Sequence, residues 1–240
     1  MRRSTRLYVP REMFTRRASR KTPSWRFLNL EPLPMRLVLE NRTQGTVIGH
    51  RNLSFDRGGR LRLLVQPDGF EAYSVGDLTL IRAPMYVGVG PIQPAARYEE
   101  TQTLAVGLDK MFPAPGQYRL QVVLAGSDPR GADEVRSNVV AIDIERPTGL
   151  DDAALTYIEA TGAARYFLTG LSDEKVDLEQ FTAQFADTVY GGYANLILAE
   201  RKIARGEYDE ARGRLSHAAA NSNSRVAAPA AARLTRLLRQ

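Results

Sequence analysis

The stretch that decides the fold is Val139-Val-Ala-Ile-Asp-Ile-Glu-Arg-Pro147-Thr-Gly-Leu-Asp151-Asp-Ala-Ala-Leu155-Thr-Tyr-Ile158. Before Pro147, apolar residues recur at every second position, which indicates β-strands. After Pro147, they recur at every third or fourth position, which indicates α-helices. The chain of 240 residues is therefore predicted to be an α+β protein of two domains, joined by a linker at residues 147–150.

The strand pattern covers residues 27–146. It is clearest in Gln117-Tyr-Arg-Leu-Gln-Val-Val-Leu124, where every second residue is apolar and shares one face. Further strands are predicted at residues 35–41, 60–66, 77–82, 100–106 and 139–144. Since no helix of useful length interrupts these short strands, they predict an antiparallel β-sandwich or barrel rather than a parallel sheet with crossover helices.

The approach to the 117–124 strand reads Phe112-Pro-Ala-Pro-Gly-Gln-Tyr118-Arg-Leu-Gln-Val122. It resembles the approach to the penultimate strand of immunoglobulin-like and fibronectin-like domains. The resemblance implies an immunoglobulin-like sandwich with a tyrosine corner, in which the Tyr118 hydroxyl bonds back to the backbone. The cystine and central tryptophan of antibody domains are missing, because the chain has no cysteine and its one tryptophan is Trp25.

Residues 83–98 form a long connection rich in proline and glycine. Met85, Tyr86, Ile92 and Tyr98 either close one end of the sandwich, which we favour, or form an exposed apolar patch. Long ordered loops on sandwiches often carry binding sites. An enzyme inhibitor that acts through the 83–98 loop is therefore one alternative function.

Residues 151–240 carry the helical pattern. Asp151 with Asp152, Ser172, and Asp187 with Thr188 suit the starts of helices, and Ser224 is predicted to cap the last helix. Apolar stripes at helical spacing follow these starts and include Tyr166, Phe167, Leu178, Phe181, Leu196, Leu237 and Leu238. The second domain is therefore predicted to be all-helical.

The pair Leu198-Ala199 and the spacing Gly206-x-Tyr208-x-x-Ala211-x-x-x-Leu215-x-x-Ala218 resemble a tetratricopeptide repeat. In that family, small residues let two antiparallel helices approach closely, and the resemblance implies that Tyr208 packs across the hairpin. The sequence departs from the pattern at Lys202, where the family has an aromatic residue, and at Asn223, where it has a proline.

An internal echo supports this resemblance, because residues 187–198 align with residues 223–234 at an offset of 36. The resemblance covers about residues 174–240, and a plain helical bundle is the alternative. Tetratricopeptide arrays are scaffolds for protein contact, so the resemblance implies a protein partner. Because about three repeats are normally needed for independent stability, this short array is expected to be stabilised by packing against the sandwich or by self-association.

Residues 1–26 hold nine basic side chains and one acidic one, Glu12, whereas the remainder carries 24 basic and 26 acidic residues. The net charge of +6 is thus concentrated in a segment without apolar periodicity. We interpret residues 1–26 as a disordered basic tail, with an arm that binds nucleic acid or an anionic surface as the alternative. Arg16-Arg17 lacks the apolar segment that follows the arginines of an export signal.

No catalytic, cofactor-binding or metal-binding residue is predicted. Without cysteine, and with His50 and His217 as its histidines, the chain could form a zinc site only with carboxylates from distant segments. The sequence contains no phosphate loop, nucleophile elbow or Asp-rich calcium loop. It also contains no apolar run long enough for a transmembrane helix.

Together these patterns predict a non-enzymatic interaction or scaffold protein of bacterial type that uses no cofactor. The pairing of the two domains resembles bacterial envelope or exported proteins. The lack of a signal peptide in this sequence counts against that placement, so the compartment stays unknown, with the cytoplasm as the alternative. The sequence identifies neither the partner nor the oligomeric state.

Overall fold

The computed structural model describes residues 5–8, 25–50, 55, 61–75, 89–104, 108–124, 134–161 and 177–239. The chain forms two compact units, Met1–Glu145 and Arg146–Gln240. The first is built mainly of strands and the second of helices, in agreement with the change of periodicity at Pro147.

The strands of the first unit are β1 (Thr5–Tyr8), β2 (Trp25–Leu28), β3 (Leu33–Asn41), β4 (Val47–His50), β5 (Leu61–Pro67), β6 (Tyr73–Val75), β7 (Val89–Ile92), β8 (Arg97–Leu104), β9 (Gly116–Leu124), β10 (Val135–Arg136) and β11 (Val140–Glu145). A short helix, α1 (Leu108–Met111), precedes β9. The helices described in the second unit are α2 (Leu150–Ala160), α3 (Leu178–Phe185), α4 (Val189–Ala204), α5 (Tyr208–Ala219) and α6 (Ser224–Leu237). The predicted strand at 77–82, the predicted helix start at Ser172, and Tyr166 with Phe167 lie outside the described residues.

The strands form two main sheets. One has the order β1-β3-β8, and the other has the order β2-β11-β9-β5-β6, in which β10 also pairs with β9. β4 and β7 form a separate two-stranded ribbon. The described pairs are antiparallel except for β2 and β11, which run parallel with Trp25 opposite Ile142. The predicted purely antiparallel arrangement is therefore wrong, since the second sheet is mixed.

The core of the first unit lies between the two sheets. Met35, Leu37 and Leu39 are buried along β3, and alternate residues are likewise buried along β9 and β11. Residues of these three strands line one apolar cavity of about 20 Å³, so their inner faces meet across the core. The small size of the cavity agrees with the close packing of protein interiors.

The predicted hydrogen bond of a tyrosine corner is confirmed. Tyr118 is buried, and its hydroxyl donates to the carbonyl of Ala114 over 2.5 Å. The ring packs edge-on against Phe112, with 5.0 Å between the ring centroids. This contact and this hydrogen bond fix the turn that leads into β9.

The N-terminal segment contains a strand. Thr5–Tyr8, which the sequence placed in a disordered tail, form β1 and pair with β3, with Thr5 opposite Asn41 and Tyr8 opposite Val38. The prediction of disorder is therefore wrong for these four residues, and also for Trp25 and Arg26, which begin β2. Residues 1–4 and 9–24 of the predicted tail lie outside the described residues.

In the second unit, α4, α5 and α6 share one apolar cluster. Its buried members are Leu196, Ala199, Ala211, Leu215, Ala218, Val226, Ala230 and Leu237. Thr188 caps α4 as predicted, because its hydroxyl accepts the N–H of Gly191 at 2.9 Å. The cap of α6 is Asn223, whose side chain accepts the N–H of Arg225, so the prediction of Ser224 as the cap is wrong by one residue.

Candidate functional site

Histidine and acidic side chains are the residues that could have carried chemistry in this chain. The described residues include no group of three or more histidine, aspartate or glutamate side chains able to hold a metal ion. His217 is exposed, with its Nε2 3.4 Å from Asp187 Oδ1, and His50 belongs to β4 in the other unit. Within the described ranges, no helix has the length and apolar character needed to cross a membrane.

The 83–98 loop is described from residue 89 onward, where it forms β7 and the turn before β8. Ile92 is only 1% exposed, and its carbonyl accepts a hydrogen bond from Nδ2 of the buried Asn41 at 2.9 Å. The same amide also donates to Gln93 O at 3.1 Å. Ile92 is therefore part of the core rather than of an exposed patch, whereas Met85 and Tyr86 lie outside the described residues.

The α4–α5 hairpin is closed by an ionic contact. Its turn contains Gly206 at a φ of 78°, a conformation that favours glycine. Lys202, in the last turn of α4, has its Nζ 2.6 Å from the carboxylates of both Glu207 and Glu210. The hydrogen bond between Lys202 and Glu207 raises the pKa of the lysine and lowers that of the glutamate. These ion pairs occupy the position where tetratricopeptide repeats have an aromatic residue.

Tyr208 is 46% exposed, so the prediction that it packs across the hairpin is wrong. The physical reason is the departure at Lys202, because the position that would supply an aromatic neighbour holds an ammonium group bound to two carboxylates. A tyrosine that is buried in this unit is Tyr190, near the start of α4, with 1% exposure.

A polar network joins α3, α4 and α5. Nη1 of Arg214 donates to Thr182 Oγ1 at 2.9 Å and to Asn195 Oδ1 at 3.0 Å, and Nη2 contacts the carboxylate of Glu179. Thr182 and Asn195 are 3% and 2% exposed, and burial lowers the pKa of Arg214. Sequence reasoning missed this network, and its one signal was the polar Asn195 within the apolar run from Ala194 to Leu198.

A cleft of about 210 Å³ lies between the start of α3 and the last turns of α4. Its lining includes Leu178 and Leu198, and Arg201 and Arg205 lie one helical turn apart. Burial, followed by the charge of Arg205, lowers the pKa of Arg201. Asp177 and Glu179 also line the cleft, and Lys202 there is bound to its two glutamates. Because cations and carboxylates occur together, the cleft does not select one sign of charge.

The outer face of α6, defined here as Ala228, Ala231, Leu234 and Leu238, is a different kind of surface. The first two residues are exposed, Leu234 is half-buried and Leu238 is 65% exposed. A neighbouring side of the helix buries Val226, Ala230 and Leu237 in the shared cluster, and Leu234, at the edge of the outer face, also packs against that cluster. The outer face is thus an apolar row on the surface of the helical unit.

Comparison with protein families supports the interpretation of the helices. Residues 152–240 match the family model of the Tetratricopeptide repeat-like domain. The helical unit is therefore a tetratricopeptide repeat-like domain, a type of fold that fits protein partners. No curated protein matches the chain in sequence.

Solved structures are similar only at a low level. A β-glucosidase involved in saponin metabolism from intestinal bacteria is 11% identical with a TM-score of 0.29, covering 60% of this chain and 16% of that chain. A β-glucosidase from Listeria innocua in complex with glucose is 9% identical with a TM-score of 0.29, covering 61% and 17%. The CARDB domain of a Pyrococcus furiosus protein is 10% identical with a TM-score of 0.25, covering 59% and 93%. This chain spans about a sixth of either β-glucosidase, and likenesses of this size assign it no activity.

Proposed function

We propose that this chain is a non-enzymatic interaction or scaffold protein whose helical unit binds a partner protein. The observation that carries the proposal is the match of residues 152–240 to a tetratricopeptide repeat-like domain. Arrays of this kind stack helices so that their outer faces form extended contact surfaces. The shared cluster of α4, α5 and α6 provides such a stack.

Photo-cross-linking of the full chain in its native cells tests this proposal. A photoreactive phenylalanine analogue is placed at Glu200 or Ala204, which are exposed on α4, and the control carries it at Phe70, 72% exposed in the first unit. We expect discrete protein adducts from the helical positions, identified by mass spectrometry and saturable by unlabelled chain. Adducts from Phe70 alone, or from no position, would contradict the proposal.

The first unit is proposed to be an immunoglobulin-like sandwich. Its support is the Tyr118–Ala114 hydrogen bond and the two sheets whose inner faces meet across the core. Strand pairings measured by nuclear Overhauser effects between backbone protons that were foreign to that class would end this assignment.

A second candidate function is the binding of a polyanion through residues 1–26. The observation that favours it is the ratio of nine basic side chains to one acidic one in this segment. Counterion release from such a segment would make the binding strongly dependent on salt.

A further inference from the structure

The outer face of α6 corresponds to a face of α4 that is covered. The two helices are capped by Thr188 and Asn223, so cap-to-cap alignment relates them at an offset of 35, between the 36 of the sequence echo and the family's period of about 34. At this offset, Tyr193, Leu196, Ala199 and Ile203 of α4 correspond to Ala228, Ala231, Leu234 and Leu238 of α6.

The burial on α4 shows what covers that face. All four α4 residues belong to, or pack against, the apolar cluster that contains Ala211, Leu215 and Ala218 of α5. The same alignment relates Val226 of α6 to Gly191 of α4, and Gly191 lies against the backbone of Phe185 at the end of α3. Asn195, which corresponds to Ala230, accepts a hydrogen bond from Arg214 of α5. In this alignment, the outer face of α6 is equivalent to the surface that receives an antiparallel helix on α4.

The charges define the chemistry of the helix that would fit. From Ala211 to Gln240 the chain has six arginines and no acidic residue. Arg212, Arg214 and Arg233 contact Asp209, Glu179 and Glu200, whereas among the described residues Arg236 and Arg239 have no carboxylate partner. Both lie in the last turn of α6 or directly after it, next to Leu238.

The α4–α5 pair shows how such charges are matched. There, the acidic first turn of α5 meets the basic last turn of α4 through Lys202, Glu207 and Glu210. We propose that the outer face of α6 receives an antiparallel helix of a partner protein whose first turn is acidic and meets Arg236 and Arg239. A second copy of α6 fits poorly, because its own first turn contains Arg225 and no acidic residue.

This inference rests on the proposed function and names the surface and the partner's chemistry. A suitable probe is a fluorescent peptide of residues 206–221, the α5 sequence of this chain, because α5 covers the equivalent face of α4. A matched peptide carries Glu207→Gln, Asp209→Gln and Glu210→Gln. Both carry Gly213→Ala, since short isolated helices are marginal in water. Fluorescence anisotropy then measures their affinity for the full chain.

We expect the acidic peptide to bind at least about tenfold more tightly than the matched peptide. A tenfold ratio of Kd values corresponds to about 1.4 kcal/mol of binding free energy. On the full chain, Ala231→Gln should abolish binding by blocking close approach, and Arg236→Gln with Arg239→Gln should weaken it by a similar factor. Ala153→Gln on α2 is the control, because Ala153 is also an exposed helical alanine of this unit, and it should change nothing.

Each other outcome overturns the inference. Peptide binding that ignores Ala231→Gln indicates exchange with α5 or another surface. A dimer in sedimentation that dissociates on Ala231→Gln indicates a second copy on this face. Tighter binding of single-stranded DNA or phosphatidylserine vesicles, if only Arg236→Gln with Arg239→Gln abolishes it, indicates a polyanion site.

Cross-linking in cells separates this inference from the proposed function. If native cross-linked adducts persist in Ala231→Gln, partner binding stands and this surface is wrong. If no adduct forms in the cell, the proposed function fails independently of the peptide result.

Discussion

Gly191 lies at the start of α4, where the helix touches the end of α3. A Cβ at this position would overlap the carbonyl oxygen of Phe185, a backbone atom that cannot move aside cheaply. The neighbouring Gly192 is crowded by side chains instead, with 2.7 Å from its Cβ site to both Asn221 Nδ2 and Val226 Cγ1. The close approach of three segments thus depends on two adjacent glycines.

Gly191→Ala is expected to destabilise the helical unit by about 1–3 kcal/mol or more, because overpacking forces backbone shifts. Gly213→Ala is the matched control: this glycine lies within α5 and an added Cβ would meet nothing within 4 Å. That change should stabilise by about 0.5–1 kcal/mol, since alanine loses less entropy in a helix. Urea unfolding of the full chain measures both, and equal effects would contradict the packing at Phe185.

Tyr190 and Tyr208 of the helical unit differ in burial, and they should therefore differ in their contributions to the free energy of unfolding. Tyr190→Ala should cost about 3–5 kcal/mol, since it removes a buried aromatic side chain and leaves a cavity. Tyr208→Ala should cost about 0.5 kcal/mol, because much of its side chain already faces water. Circular dichroism at 222 nm during urea unfolding measures the free energy of unfolding of both variants. A larger loss for Tyr208→Ala than for Tyr190→Ala would show that Tyr208 is the central aromatic residue of the hairpin.

At the scale of elements, one guanidinium holds three helices together. Arg214→Met should destabilise by about 1–3 kcal/mol, because it leaves the buried Asn195 Oδ1 and Thr182 without their donor. Arg212→Met is the matched control on the same helix. It removes only an exposed ion pair with Asp209 and should cost less than about 0.5 kcal/mol. Hydrogen exchange of α3 amides should rise with the first variant alone, and similar exchange in both would contradict the network.

The ionic closure of the α4–α5 hairpin predicts a dependence on pH. Folding lowers the pKa of Glu207 from its ordinary 4.5, so its contribution is present above that value and is lost as pH falls through the folded pKa. Folding raises the pKa of Lys202 from 10.5, so its contribution is present below that value and is lost as pH rises through the folded pKa. The hairpin is therefore most stable between these two limits.

Lys202→Met removes both ion pairs while keeping the aliphatic stem, so the variant should lose less stability than the natural chain at either pH limit. The check is the urea midpoint of the helical signal between about pH 5 and about pH 3, and again above about pH 10. Lys110 is an exposed lysine of α1 in the other unit, so Lys110→Met is the control. It should leave the pH dependence of the urea midpoint unchanged in both the acidic and the alkaline range. Parallel pH profiles for Lys202→Met and the natural chain would rule out the ionic closure.

The elements that could be predicted are those with a local signal. Alternation located β3, β5, β9 and β11, and the side chain of Thr188 marked the start of α4 because capping involves neighbouring residues. β1 and β2 were missed, since four residues that pair with distant strands leave no pattern of their own. Asn223 and Ser224 both suit a cap, so sequence could not separate them.

The candidate surfaces were harder to predict, because they depend on contacts between segments. The exposure of Tyr208 follows from ion pairs of Lys202 with α5, and the Arg214 network needs three helices in place. The sequence echo did indicate that α4 and α6 are equivalent. It could not indicate that one of the equivalent faces is covered and the other exposed, since that depends on the packing of α5.

At the scale of the whole molecule, the basic N-terminal segment and the fold overlap. β1 lies within residues 1–26 and pairs with β3, so deleting Met1–Lys21 removes a strand together with the charges. Such a deletion cannot separate a polyanion-binding arm from a destabilised first unit. Substitutions outside β1 remove charge and leave the sequence of the strand intact.

The variant that carries Arg11→Gln, Arg16→Gln, Arg17→Gln, Arg20→Gln and Lys21→Gln is therefore the test of the basic arm. If the arm binds single-stranded DNA, log K should fall linearly with log salt for the natural chain, and the five substitutions should reduce the slope by about 3.5, at about 0.7 per phosphate contact. Arg236→Gln with Arg239→Gln is the charge control and should leave the slope unchanged. Thermal unfolding should match the natural chain, because β1 is retained. An unchanged slope in the five-fold variant would end the polyanion hypothesis, whereas an equal loss in the Arg236 and Arg239 control would move the binding site to α6.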